Sequence, residues 1–153
     1  MSKLGSIPRA SSSSVRKVMI ANKGRDTGPE LVLRRGLREA GIGGYRVNYR
    51  IGRRRLDVSY VSRKIAVQVH GCFWHNCPVC QLPIPKSHTA YWRRKFFINR
   101  RRDEETSRQL RAEGWIVLEF WEHELKARVH RCVATVARAL KTRSWLASGG
   151  QEA

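Results

Sequence analysis

The run Val69-His70-Gly71-Cys72-Phe73-Trp74-His75-Asn76-Cys77-Pro78-Val79-Cys80 constrains this chain more than any other stretch. It packs two histidines, two aromatics and three cysteines into twelve residues. Pro78, followed by Pro83 and Pro85, removes backbone donors and fixes φ, so residues from Gly71 to Lys86 read as irregular. Cys77 and Cys80 form a C-x-x-C unit, a spacing that suits either a tetrahedral zinc or a redox pair. The chain has four cysteines, the others being Cys72 and Cys132, and in a cytoplasmic protein all are expected to be reduced.

The elements around this run follow from periodicity and punctuation. Residues 1–14, with four serines in a row, read as a disordered tail, and residues 15–23 as a short basic helix. Thr27-Gly28-Pro29-Glu30 is a capping-box pattern with proline early, where a helix tolerates it. The helix it opens carries Leu33, Leu37 and Ala40 to a stop at Gly41, and places Glu30 on the same inward face. Tyr45, Val47 and Tyr49 alternate as in a strand, and Arg53-Arg54-Arg55 reads as a basic turn. Leu56 to Val61 and Ile65 to His70 read as two further strands about the polar turn Ser62-Arg63-Lys64. A basic helix is expected from Thr89 to Glu113 with Gly114 as its stop, then a strand from Trp115 to Phe120. A last helix is expected from Glu124 to Leu140 with Leu125, Val129, Cys132, Val133, Val136 and Leu140 on one face. This order predicts an α/β layer structure about a mixed sheet. One domain is expected over 15–143, with 144–153 as a flexible tail.

Charge narrows the partner. Thirty-one lysines and arginines face 12 acidic residues in a chain of 153, a formal +19. Such a chain repels itself unless it meets a polyanion, and basic side chains gain counterion-release entropy on nucleic acid. No stretch is long and apolar enough to span a membrane, and no secretion signal is read at the N-terminus, so a cytoplasmic location is expected.

Asp57 interrupts an otherwise apolar strand, Leu56-Asp57-Val58 with Tyr60 and Val61, and an acidic group there needs a partner. It stands either as an exposed edge residue or as a carboxylate for a hard cation such as Mg²⁺, which takes a few oxygen ligands from the protein. His70 and His75 flank a strand end, where a pair of imidazoles can act as base and as stabiliser of phosphate charge. Phe73 and Trp74, and Trp92 among Tyr91, Arg93, Arg94 and Lys95, are either core or a wedge that stacks on bases.

Several of these segments resemble the very-short-patch (Vsr) mismatch repair endonucleases. Gly24-Arg25-Asp26-Thr27-Gly28-Pro29-Glu30-Leu31 is similar to that family's opening helix motif, and Gly71-Cys72-Phe73-Trp74-His75 to its signature. Asn99 through Arg102-Asp103, then Gly114-Trp115 and Trp121-Glu122-His123, follow with the family's spacing, so the likeness covers about residues 15 to 125. The resemblance implies a three-layer fold of the restriction-endonuclease type, its mixed central sheet flanked by helices, with a structural zinc. It implies Mg²⁺-dependent nicking of one strand of double-stranded DNA at T:G mismatches left by deaminated 5-methylcytosine.

By position the resemblance makes Asp57 and the Val69 carbonyl the Mg²⁺ ligands, His75 the general base, and His70 and Glu30 supports for the attacking water or the developing charge. It makes Cys77, Cys80, Asp103 and His123 the zinc ligands, and Phe73, Trp74 and Trp92 the intercalating aromatics. Asp57 and His75 are then expected to meet about the cation. Arg16, Lys17, Lys23 and Arg25 from the N-terminal segment, with Arg93 and Arg94, are expected on the DNA. A monomer associated with a bacterial nucleoid is implied, together with a mismatch-repair matchmaker protein and a linked cytosine methyltransferase. The chain departs from the family's pattern at Leu56, where proline is usual, at His70, where many members have Asp, and at Cys80, where His is frequent. On the residues alone two other readings stay open: a restriction-like nuclease cutting matched DNA, and a non-catalytic zinc-stabilised DNA-binding module.

Overall fold

The computed structural model describes Ser13 and residues 24–149. Thr27 caps the first helix, α1 (Gly28–Glu39), through its hydroxyl oxygen, with proline in the first turn as the sequence predicts. Three strands follow: β1 (Arg46–Ile51), β2 (Arg54–Tyr60) and β3 (Ile65–His70), the last two joined by a 3₁₀ turn at Val61–Arg63. Arg54 and Arg55, expected in a turn, are already in β2, and the reversal is made at Gly52 and Arg53. Gly52 supplies the positive φ of +59° that this tight connection needs. The long basic helix α2 (Thr89–Ala112), β4 (Ile116–Trp121) and α3 (Glu122–Ala147) complete the chain. Residues 144–147, expected in a tail, belong to α3. One residue inside it, Arg128, has non-helical angles (φ −147°, ψ 47°), which puts a kink there. The expected tail 1–14 and basic helix 15–23 lie outside the described residues, except for Ser13.

The four strands form one mixed sheet in the order β1-β2-β3-β4. β1, β2 and β3 run antiparallel as a meander, while β4 lies parallel to β3 with Ile65 beside Ile116 and His70 beside Trp121. A parallel neighbour needs a crossover, and α2 provides it. Helices cover both faces. Leu33 and Leu37 of α1 meet Leu125, Cys132, Val133 and Val136 of α3 over Val58, Tyr60, Ile65, Val67 and Phe120 of the sheet. On the other face Leu110 of α2 packs with Leu56, Ala66, Trp115 and Val117. Each fully buried leucine here contributes roughly 1.5–3 kcal/mol. The result is the expected three layers.

Two irregularities in the sheet position the site. Residues 56 and 58 should share a face by strand alternation, yet Leu56 is in the α2-side core and Val58 in the α1/α3-side core, so the alternation breaks at Asp57. The β2–β3 register ends at Val58↔Val67, and the next available N–H of β3, that of Val69, goes to the Asp57 carboxylate at 2.8 Å. On the other side Asn48 of β1 has φ +51° and drops out of the ladder between Val47↔Val58 and Tyr49↔Leu56. The sheet therefore parts around Asp57, which can aim its side chain into the gap.

The α1–α3 seam depends on a missing side chain. A Cβ at Gly36 would sit 2.9 Å from Val133 Cγ2 and 3.0 Å from Val129 Cγ2. Gly36→Leu is expected to lower stability by about 1–3 kcal/mol through overpacking, despite leucine's better helix propensity, with thermal unfolding as the measurement.

Candidate active site and cysteine–histidine centre

Asp57 is 4% exposed, and burial pushes its carboxyl from 3.8 up to about 6. The Val69 N–H opposes that rise, the charge of Glu30 adds to it, and Arg55 and His70 draw it back down. Arg55 approaches Asp57 Oδ1 to 3.3 Å and also donates to the Gly24 carbonyl, so a guanidinium from the same strand faces the carboxylate. The sequence reading missed it by assigning Arg55 to a turn. Glu30 is buried by the first turn of α1, where both its oxygens are engaged. Thr27 Oγ1 donates to Oε1, and the Asp26 N–H and the Arg34 guanidinium donate to Oε2 at 2.9 and 3.1 Å. Two carboxylates thus lie close enough to feel one another, one loosely balanced by Arg55 and the other firmly by Arg34.

Beyond the end of β3 the histidines converge. The rings of His70 and His75 are 4.8 Å apart, and the ligand atoms of His70, His75 and Asp103 all lie within 4.8 Å of one another. His75 Nδ1 is hydrogen-bonded to Asp103 Oδ2, and His70 Nδ1 is 3.8 Å from the same oxygen. The Asp57 carboxylate is not part of this group; it meets it through His70, the neighbour of Val69. His70, whose ring is 4.8 Å from that of His75 and whose charge acts on Asp57, links the two residues expected to meet about a cation. Glu119, which the sequence reading passed over, lies on the far side of His70, with Oε1 3.3 Å from Nε2. Its carboxyl is held down to about 2, first by His70 and, against the effect of burial, also by Ser107.

The second centre corrects the expected ligand set. Cys72, Cys77, Cys80 and His123 offer three sulfurs and a nitrogen within 4.8 Å of one another. Asp103 is not among them, because the helical period sets it in line with Trp92, Phe96, Asn99, Ser107 and Leu110. That row of α2 faces the sheet and the histidines. Cys72 takes the place expected for Asp103. His123 Nδ1 lies 3.3 Å from Cys72 Sγ and 3.6 Å from Cys77 Sγ. Zn–S bonds of about 2.3 Å in a tetrahedron give edges near 3.8 Å, so the set fits zinc in both chemistry and size. Burial raises the Cys72 thiol to about 12. Burial acts the same way on Cys77, but the N–H groups of Cys80 and Val79 and the neighbouring sulfurs outweigh it and leave that thiol below its usual value. The loop is held at two more points: Glu122 Oε2 accepts the Cys72 N–H at 3.1 Å, and Asn99 donates to the Trp74 carbonyl at 2.8 Å.

The aromatics form one cluster. Phe73 lies 5.1–5.5 Å, centroid to centroid, from Trp74, Trp92 and Phe96, and Trp74 is 5.9 Å from Trp92. Phe73 and Trp74 are half-buried and available at the surface, whereas Trp92 is 4% exposed. In this state Trp92 is the floor of the wedge rather than its edge, because the α2 row that carries it faces inward. Arg25, Arg93 and Arg94 are exposed, and Lys95 lies over the Trp74 ring at 5.9 Å. Arg16, Lys17 and Lys23 lie outside the described residues. Among the described residues no helix is long and apolar enough to cross a membrane.

Comparison with known proteins places this geometry. Residues 10–81 match the family model described as DNA mismatch endonuclease Vsr. The chain is 38% identical over 123 residues to the type II nicking enzyme V.XorIIP of Xanthomonas oryzae, covering 76% of this chain and 85% of that protein. It is 33% identical over 132 residues to the nicking enzyme V.NmeDIP of Neisseria meningitidis, covering 86% and 88%. The DNA mismatch endonuclease Vsr of Escherichia coli matches at 32% over 74 residues, 48% of this chain and 47% of that one. In three dimensions the catalytic domain of the homing endonuclease I-Bth0305I superposes with a TM-score of 0.52 at 16% identity, over 77% of this chain and 98% of that one, which supports the fold. With two histidines, four carboxylates and a cysteine–histidine centre built on this sheet, the chain belongs to the Vsr family of DNA endonucleases.

Proposed function

We propose that this endonuclease hydrolyses one phosphodiester on one strand of duplex DNA at a T:G mismatch, with Mg²⁺ at Asp57 and zinc at the cysteine–histidine centre. The observation that carries the reading is the His75–Asp103 pair beside His70, next to a buried carboxylate where β2 and β3 part. A carboxylate accepting from Nδ1–H leaves His75 Nε2 as the basic nitrogen, and holds the ring while that nitrogen takes a proton. Hydrolysis needs a water oxygen to bond to phosphorus, its proton to pass to His75, and the bridging ester oxygen to leave. Asp57, with the Val69 carbonyl, would hold Mg²⁺, which when bound supplies charge stabilisation for the phosphate oxygens. A buried carboxylate whose proton is held up to about 6 gains from a divalent cation, so the residues present fit one. Glu30 supports the same site through its charge beside Asp57. Phe73 and Trp74 stack at the mispair, where unstacking costs least, and the arginines of α2 and Arg25 hold the backbone.

Action at a mismatch draws support from the name of the E. coli relative, while the other relatives are described as nicking enzymes. A panel of duplexes with every mispair and with matched sequence, read by strand, tests the reading. Nicks confined to one strand at T:G are expected. Equal cleavage of matched duplexes would establish a restriction-like specificity instead.

Asp57→Asn separates function from stability. Nicking is expected to fall by roughly a thousandfold or more, the scale of losing a metal's charge stabilisation. In metal-free protein the same change is expected to stabilise. The folded carboxyl titrates near 6 and the unfolded one near 3.8, so the folded state favours the proton and ionisation costs up to about 3 kcal/mol at neutral pH. The gain should be complete above about pH 6 and absent below about pH 4, as thermal melts in chelator would record. In wild-type enzyme, by the same ionisation, nicking at limiting Mg²⁺ should rise with pH through about 6.

Elemental analysis is expected to find one zinc per chain. Cys72→Ser should lose zinc and thermal stability, because a structural site contributes folding energy directly. Asp103→Asn should keep its zinc and lose nicking. Zinc loss on changing Asp103 but not Cys72 would restore the ligand set expected from sequence.

A further inference from the structure

The parallel register sets Glu119 beside Gln68 and Trp121 beside His70, so Glu119 and His70 share the sheet face that α2 covers. There the Glu119 carboxylate is held from α2 by Ser107 Oγ, which donates to Oε1 at 2.8 Å, and by Arg111, which reaches Oε2 at 3.3 Å. The remaining partner is the imidazole of His70, at 3.3 Å through Nε2, and that ring also packs on Trp121 at 5.3 Å between centroids. A carboxylate only accepts hydrogen bonds, so the nitrogen facing it must carry the hydrogen. The other nitrogen, Nδ1, is on the His75 side, 3.8 Å from Asp103 Oδ2 and so beyond hydrogen-bond distance of it.

We propose that Glu119 is a positioning residue for His70: it fixes the ring's orientation and its Nε2–H tautomer, so that Nδ1 is the nitrogen presented to the reacting phosphate. The proposal rests on the reading of His70 as part of a phosphodiester-cleaving site. Two imidazole–carboxylate pairs then stand side by side in opposite senses. Asp103 takes Nδ1 of His75 and leaves Nε2; Glu119 takes Nε2 of His70 and leaves Nδ1. The ring centroids are 4.8 Å apart, and neither ring can rotate without losing its carboxylate. A carboxylate partner of this kind fixes the tautomer and removes wrong orientations, and losing one commonly costs 10–100-fold in activity. The competing role for Glu119 is a tie between α2 and β4 through Ser107 and Arg111, which would act on stability and leave the ring alone.

The test combines single-turnover nicking of a T:G duplex at saturating Mg²⁺, duplex affinity, and the ring ¹⁵N signals of histidine-labelled protein. Glu119→Ala is expected to slow nicking about 10–100-fold at saturating DNA with affinity within about twofold, and to convert His70 from the Nε2–H form to a mixture of tautomers. Glu119→Gln keeps an accepting oxygen and should recover most of the rate and the single tautomer. Ser107→Ala, which removes one of the two ties to α2 and leaves Arg111 to hold the carboxylate, should stay within about threefold of wild type. The proposal is overturned if Glu119→Ala keeps both rate and tautomer, or if Ser107→Ala loses as much as Glu119→Ala. Should Glu119→Ala fail to fold, the wild-type spectrum decides: hydrogen on Nδ1 of His70 contradicts the proposal. Because that spectrum needs no substrate, a wild-type protein that nicks nothing would defeat the nuclease reading without deciding what Glu119 does.

Discussion

A carboxylate buried where a sheet comes apart governs the rest of this molecule. Asp57 sits in β2 with its alternation broken and its ladder to β3 ended, and it takes for itself the N–H that Val69 would give to a strand. Burial makes the charged form costly, and the neighbouring Glu30 makes it costlier. Arg55 answers that cost in part, from 3.3 Å. Stability is given up at one strand position to keep a charged oxygen in a gap of the sheet.

The cysteine–histidine centre serves the same site from a distance. Residues 71–86 have almost no backbone regularity, yet they must place His75 and the Phe73–Trp74 wedge with ångström accuracy. The cluster of Cys72, Cys77, Cys80 and His123, the Glu122 carboxylate on the Cys72 N–H and Asn99 on the Trp74 carbonyl replace the missing ladder. Crosslinking a short irregular segment of a small protein in this way costs little loop entropy, and it leaves His75 aimed at Asp103 on α2.

Much of this was legible because local physics wrote it locally. Thr27 and Pro29 begin α1 as caps do, the β2–β3 meander follows its apolar runs, and Gly114 ends the α2 region with a positive φ of +85°. Asp57, His70 and His75 stood out because each is chemically out of place among apolar neighbours. What was misread depends on distances between elements. Asp103 was assigned to the cysteines, although its helical row with Phe96, Asn99 and Ser107 already pointed it at the sheet. Cys72 was passed over because only Cys77 and Cys80 carry a recognisable spacing. Glu119 looks like an ordinary outward residue of β4 until the parallel register brings it to His70. Trp92 reads in sequence as either core or wedge, and the same helical row buries it.

Binding of Mn²⁺, a paramagnetic stand-in for Mg²⁺, to zinc-loaded protein tests the central claim most directly. Titration followed by electron paramagnetic resonance should find a site in wild type that is absent in Asp57→Asn, with zinc content and fold unchanged between the two. Equal Mn²⁺ binding by both proteins would contradict the account, because the buried carboxylate would then not be the seat of the cation.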